Sequence, residues 1–355
     1  MRPRLPIRFP ALSLLFLGGL GLLWACTTRP AMAEIPPPLT KQKGAHVFGH
    51  LDSSNMDFLH DTHVEWVTVV TWGYLNNISD SLVTHHNGDS TMIEESNASF
   101  LRWVGPIREA GFKVFVKPHV WIYEVDQRGW RSDVFPVSDS GWEQWKETYR
   151  NFMLRYARLA EEVGAEMFCI GTELTRLSLE KPQFWREFIQ EIREVYSGKL
   201  TYAANWYREY EEISFWSELD YIGIQAYFPL VKKEYPTVAE ISAGWQKVFP
   251  AIETVRNRYG KNVLFTEMGY KSTSDGVMRP WDWIESPESR DKVYSLETQE
   301  NAYKAFFQTV WPQDWMAGVH IWQLRPDYFA RPERKDRDFT PRGKPAEEVL
   351  KQGFE

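Results

Sequence analysis

Cysteine is almost absent: Cys26 and Cys169 are the two in 355 residues, so no disulfide framework holds the fold and stability must come from a large apolar core. Positive charge is short as well. The formal net charge is −7, and it becomes more negative once Arg2, Arg4 and Arg8 leave with a leader, which argues against a nucleic-acid groove. No apolar run reaches the roughly 18 residues of a membrane span; the longest, 11–25, is interrupted by Gly18, Gly19 and Gly21. The phosphate-cradling strings G-x-G-x-x-G and G-x-x-x-x-G-K-[ST] follow none of the apolar runs, and neither G-x-S-x-G nor H-E-x-x-H occurs. No cofactor and no metal are therefore expected. Aromatic surface is what the chain has in excess. Phe, Trp and Tyr make up 15% of it, with 17 tryptophans, more indole than core packing calls for and well suited to flat ligands.

The N-terminus reads as a targeting segment. Arg2, Arg4 and Arg8 ahead of the apolar run form the basic and apolar regions of a secretory signal. Leu23-Trp24-Ala25-Cys26 resembles a bacterial lipobox, although Trp24 departs from the small or aliphatic residue usual there. On that reading 1–25 is a lipoprotein-type signal peptide, Cys26 is acylated, and 26–42, with Pro36-Pro37-Pro38, is a stiff tether. Ala31-Met32-Ala33 offers ordinary signal peptidase a competing site. The protein is expected to be exported, either anchored through lipid on Cys26 or periplasmic or secreted after cleavage at Ala33.

From residue 43 onward, eight short apolar runs alternate with longer amphipathic stretches: 44–48, 66–72, 113–117, 167–171, 200–204, 221–225, 263–266 and 319–323. They are rich in β-branched and aromatic residues and do not alternate cleanly, as expected of parallel strands buried on both faces. Helical spacing marks 97–110, 141–163, 182–196, 238–259 and 296–310. In 141–163, Trp142, Trp145, Tyr149, Phe152, Tyr156, Leu159 and Val163 share one face; Ser140-x-x-Glu143 predicts a capping box and Gly164 the stop. Pro106 predicts a kink, and Pro250 a bend or split. Strand then helix, repeated eight times, predicts an α/β fold, a single (β/α)8 TIM barrel over 43–355. A doubly wound open sheet is the alternative, without a glycine fingerprint in its favour.

Such barrels place their chemistry at the C-terminal strand ends. Those positions hold Trp72 after the second run, Lys117, His119 and Trp121 after the third, and Thr172 and Glu173 after the fourth. Asn205 and Trp206 follow the fifth, Tyr227 the sixth, Glu267 the seventh and Trp322 lies in the eighth. Glu173 and Glu267, on the fourth and seventh strands of eight, should face each other across the mouth. A facing carboxylate pair is what retaining glycoside hydrolysis uses: one attacks the anomeric carbon, while the other protonates the leaving oxygen and then activates water. Glu267 is expected to be the ionised partner, held by groups such as Tyr227, and Glu173 the acid, its pKa raised by Glu267's charge and by aromatic walls. Indole faces at Trp72, Trp121, Trp206 and Trp322 would stack on pyranose rings.

Gly171-Thr172-Glu173-Leu174 and Phe265-Thr266-Glu267-Met268-Gly269-Tyr270 resemble the acid/base and nucleophile motifs of the retaining (β/α)8 glycosidases with catalysts on strands four and seven. Lys117-Pro118-His119-Val120-Trp121, Ala204-Asn205-Trp206 and Ala226-Tyr227-Phe228-Pro229-Leu230 narrow the resemblance to glycoside hydrolase family 113, over about 44–325. The resemblance implies β-1,4-mannanase-like activity, Glu173 as acid/base, Glu267 as nucleophile, Tyr227 as the nucleophile's hydrogen-bond donor and Trp322 as a sugar platform. Most of that clan has Asn before the acid/base, reaching the sugar 2-OH; this chain has Thr172, as family 113 does, and Asn205 is a candidate for the missing amide.

His119 is either a sugar hydrogen-bonder or a buried histidine satisfied by a carbonyl, and Lys117 reaches a hydroxyl or pairs with a carboxylate. Cys169 reads as a small core residue, and Trp142, Trp145 and Trp185 as packing on the barrel's outside. The expected partner is an oligo- or polysaccharide, with a membrane through Cys26, no nucleic acid and a monomeric chain. A carbohydrate-binding lipoprotein without turnover is the rival from another class, and a clan relative acting on β-glucan or β-galactan the rival within the enzymes.

Overall fold

The computed structural model describes residues 35–355, apart from 39, 50, 53–54, 85–90, 124–128, 287 and 327–336, and only the backbone of 91–95. The segment expected to be a signal, with Cys26 and Ala33, lies outside the described residues. The strands are β1 (Gln42–Val47), β2 (Trp66–Val69), β3 (Trp72–Leu75), β4 (Lys113–Val116), β5 (His119–Ile122), β6 (Met167–Thr172), β7 (Lys199–Asn205), β8 (Ile222–Gln225), β9 (Val263–Met268) and β10 (Met316–Leu324). The α-helices are α1 (Asp57–Asp61), α2 (Thr91–Glu109), α3 (Asp139–Glu162), α4 (Thr175–Glu180), α5 (Pro182–Val195), α6 (Glu209–Glu212), α7 (Val238–Tyr259), α8 (Leu296–Thr309) and α9 (Pro345–Phe354).

Eight strands, β1, β2, β4, β6, β7, β8, β9 and β10, close a parallel barrel in chain order, with helices between them. This is the (β/α)8 TIM barrel that the strand-helix period predicts, and each of the eight apolar runs supplies one barrel strand. Two details differ from the sequence reading. The second run does not continue unbroken to Trp72: it stops at Val69 and resumes as β3, which pairs with β5 in a separate two-stranded parallel sheet. Pro118 sits at the corresponding break between β4 and β5, and a residue without an N–H cannot continue a ladder. Lys117 N donates to Val69 O at 2.9 Å and His119 N to Thr71 O at 2.8 Å, so the pairing resumes on the far side. At α3, Ser138 rather than Ser140 is the cap, its hydroxyl accepting from Gly141 N at 3.0 Å, and Glu143 turns to Lys146 instead of closing a capping box. Pro106 and Pro250 lie inside α2 and α7, and neither divides its helix.

The main core fills the layer between barrel and helices, where Trp145 and Trp185 are fully buried. A smaller cluster, with Trp66, Phe115, Met167 and Cys169, occupies the barrel interior. His320 there is held on both ring nitrogens, by Thr68 Oγ1 at 2.7 Å and Gln42 Oε1 at 3.0 Å. Gly44 leaves room for that imidazole, since a Cβ would sit 2.3 Å from His320 Nδ1. Among the described residues, no helix is long and apolar enough to cross a membrane.

Candidate active site

Glu267 lies on β9 at the barrel's C-terminal rim and is 4% exposed. Gly269, two residues on, allows β10 to approach, because a Cβ there would lie 1.9 Å from the Trp322 carbonyl oxygen. Both carboxylate oxygens of Glu267 accept. Lys117 Nζ, fully buried after β4, donates to Oε1 and also to Gln225 Oε1 at 2.8 Å; Tyr227 Oη donates to Oε2 at 2.8 Å. Gln225 is itself fixed by Thr266 Oγ1 at 3.1 Å. His46 Nε2, from β1, and His119 Nε2, from β5, each stand 3.7 Å from Oε1. Burial first, and Lys117's charge second, hold both imidazoles well below the usual histidine pKa, so they face Glu267 as neutral rings. Lys117 is thus the ion-paired partner of this carboxylate.

Glu173 follows β6 and is turned into the site by a left-handed backbone, φ 51°, an uncommon conformation for a side-chain-bearing residue. Its Oε2 stands 3.5 Å from Arg131 Nε and 3.4 Å from Trp130 Nε1. Burial raises its pKa, Arg131 opposes that rise, and the negative charge of Glu267 adds to it. The sequence expectation of a raised pKa at Glu173 therefore holds in direction, with desolvation ahead of charge repulsion. Arg131 also donates through Nη1 to His119 Nδ1 at 3.0 Å. A guanidinium only donates, so Nδ1 accepts and the His119 proton sits on Nε2, the nitrogen facing Glu267.

A buried hydrogen-bonded hub backs the Glu173 turn. Leu174 N donates to Tyr202 Oη at 2.8 Å, and that hydroxyl donates to Glu209 Oε1 at 2.7 Å. Glu209 also accepts from Ser178 Oγ at 2.6 Å, Thr175 Oγ1 at 3.0 Å and Asn205 N at 2.7 Å. These four donors counter a burial that pushes its pKa up to about 7. Asn205 is thereby anchored through its main chain. Thr172 is buried, its hydroxyl 3.9 Å from the Cys169 thiol.

Aromatic rings line the same rim. Trp322 packs edge-on against His46 at 5.1 Å and Phe48 at 4.9 Å, and clusters with Tyr227 and Phe339. Trp206 stacks on Trp281 at 5.2 Å, while Trp283 meets Trp322 and Phe339. On the other side Trp72 contacts both His119, at 5.1 Å, and Trp121, at 5.7 Å. Among the described residues no cluster of three or more metal-ligating side chains forms.

The sequence matches the family model of Glycoside Hydrolase Family 113 over residues 41–344. The chain belongs to that family. Among solved structures it is similar to a GH113 β-1,4-mannanase in complex, at 23% identity and TM-score 0.73, with 89% of this chain and 99% of that one covered. The GH113 β-mannanase of Alicyclobacillus acidocaldarius gives 25% identity, TM-score 0.72 and coverages of 89% and 97%. A Ruminococcus gnavus β-glucuronidase shares the fold at 12% identity and TM-score 0.56, covering 91% of this chain and 51% of its own. No curated protein matches the sequence.

In this glycoside hydrolase the fold brings Glu267, Tyr227, Lys117 and His119 into direct contact and sets Trp322 beside Tyr227. Of the two readings open for Lys117, the carboxylate pair is the one observed. Trp206, Trp72 and Trp121 stand around this centre. Sequence reasoning missed His46, which stands one residue before the end of β1 but in the middle of the apolar run 44–48, where the strand-end rule does not look. Trp130, Trp281 and Trp283 lie in irregular segments and Arg131 opens a single 3-10 turn, Arg131–Asp133, all too short for spacing to carry a signal.

Proposed function

We propose that this glycoside hydrolase cleaves β-linked, mannose-containing oligo- or polysaccharides by a two-glutamate double displacement. The reading rests on one observation above the rest: two buried carboxylates at the ends of β6 and β9 have opposite surroundings. Glu267 accepts from Lys117 and Tyr227 on both oxygens, the hydrogen-bonding pattern of a carboxylate, and Glu173 lies against an indole with its pKa raised. Glu267 attacks the anomeric carbon as the glycosidic C–O bond breaks, and Glu173 delivers its proton to the departing oxygen. Glu173, now a carboxylate, takes a proton from water, whose oxygen displaces Glu267 from the same carbon. Two inversions retain the configuration. Trp322 supplies an apolar platform beside the reacting sugar, and neutral His119 offers an Nε2 proton at the rim. Mannose is favoured because the similar family members of known structure are β-mannanases.

The basic and apolar N-terminus supports export, with lipid on Cys26 or cleavage after Ala33 as its two outcomes. The test of function is product chromatography of the chain from Thr27 onward on β-linked manno-, gluco-, galacto- and xylo-oligosaccharides, beside a Glu267→Gln control. Cleavage of the manno series by the wild type alone is expected. Cleavage of another series reassigns the sugar, and an inert folded protein removes the hydrolytic reading.

A further inference from the structure

The β3/β5 sheet extends the second and third barrel strands beyond the break at Pro118, in register Trp72↔His119 through Leu75↔Ile122, and Tyr123 N continues the ladder to Leu75 O at 3.0 Å. Side chains alternate across strands. One face therefore carries Gly73, Leu75, Val120 and Ile122, and it is buried. A Cβ at Gly73 would stand 2.9 Å from Val83 and 3.1 Å from Phe152, so this face is pressed too closely on its neighbours to turn outward.

The opposite face carries Trp72, Tyr74, His119, Trp121 and, one step further, Tyr123. Its exposure rises along the strand. His119 is buried beside Glu267, Trp72 and Tyr74 are half-buried, and Trp121 and Tyr123 are 41% and 50% exposed. The rings are in contact: Trp72 with His119 and Trp121, and Tyr74 with Tyr123 at 5.2 Å and only 11° from parallel. Four residue steps of extended chain separate His119 from Tyr123, about 13 Å, more than one pyranose ring.

A core function would bury the outer rings, and an isolated exposed aromatic needs no explanation. Two aromatic groups on one face, Trp72 with His119 and Trp121 at the catalytic centre and Tyr74 with Tyr123 further out, are different: their flat apolar faces suit successive sugar rings whose hydroxyl edges stay in water. We propose that the outer face of the β3/β5 sheet is a glycan-binding platform, on which Trp121 and Tyr123 hold sugar units beyond the one at the catalytic carboxylates. The inference rests on the glycosidase reading and adds a preference for longer chains.

The test compares wild type, Tyr123→Ala, Tyr123→Phe and Trp121→Ala on β-1,4-manno-oligosaccharides of two to six units. The ratio of kcat/KM on the hexasaccharide to that on the disaccharide is expected to fall about tenfold in each Ala variant, mainly through KM, and to be restored in Tyr123→Phe. Equal losses on every chain length, or no loss on any, would overturn the platform. If the wild type cleaves nothing in this panel, the manno-oligosaccharide reading fails on its own. Calorimetry with the hexasaccharide then decides the platform separately: weaker binding in Tyr123→Ala supports it, and equal or undetectable binding by both proteins rejects it.

Discussion

Glu267 and Glu173 present the same carboxyl group at two strand ends of one barrel, and the barrel treats them differently. Around Glu267 the contacts come from the scaffold: His46 from β1, Lys117 from the end of β4, His119 from β5, Tyr227 just after β8. Glu173 meets Trp130 and Arg131, carried on the loop that leads into α3, and its own backbone is turned through a left-handed residue. A group placed by strands has its geometry set by the hydrogen-bonded ladder, whereas one bordered by a loop can be retuned by loop residues without disturbing the barrel. On the proposed double displacement, attack falls to the first position and adjustable proton transfer to the second.

The largest effect that sharpens this contrast comes from removing each carboxyl in turn. Glu267→Ala should lower kcat by on the order of 10⁴-fold or more, with azide restoring turnover as the α-glycosyl azide. Glu173→Ala should cost about 10²- to 10⁴-fold, far less on substrates with activated leaving groups, and yield the β-azide. Identical azide products from both variants would erase the distinction.

A third buried carboxyl, Glu209, shows what the same group does when it serves only the frame. Its folded pKa of about 7 lies above the ordinary 4.5, so its contribution to stability is full below pH 4.5 and is lost as pH rises through 7. Between pH 5 and pH 8 the loss amounts to about 2 to 3 kcal/mol. Urea unfolding of Glu209→Gln at the two pH values should show a correspondingly smaller difference than wild type; an unchanged difference would remove Glu209 as its source.

Arg131→Met gives the smallest change. The guanidinium holds the Glu173 pKa down against burial, so its removal raises that pKa and the proton needed by the leaving group is kept to higher pH. The alkaline limb of kcat/KM should move upward by about one unit. A limb that stays in place would mean that the loop does not tune this acid.

The barrel and the placement of two buried carboxyls at its strand ends were legible because both follow from period: eight buried runs in chain order, with polar residues at their ends. Lys117 and Tyr227 were legible for the same reason, as residues immediately beyond a strand. Arg131, Trp281 and Trp283 were not, since a single 3-10 turn or an irregular loop places a side chain by tertiary packing that no spacing encodes. The outward β3/β5 sheet escaped for a subtler cause. Pro118 interrupts the ladder at one step only, and a single missing N–H does not reveal whether the chain turns away or resumes its pairing.

Inactivating the enzyme with an activated 2-deoxy-2-fluoro-β-mannoside, and locating the label by peptide mass spectrometry, puts the division of labour between the two glutamates to its sharpest trial. One sugar per chain is expected, attached to Glu267 in a peptide containing Phe265-Thr266-Glu267-Met268, with slow reactivation as water releases it. A label on Glu173 would reverse the two roles, and turnover to a product of inverted configuration with no covalent sugar would refute the double displacement.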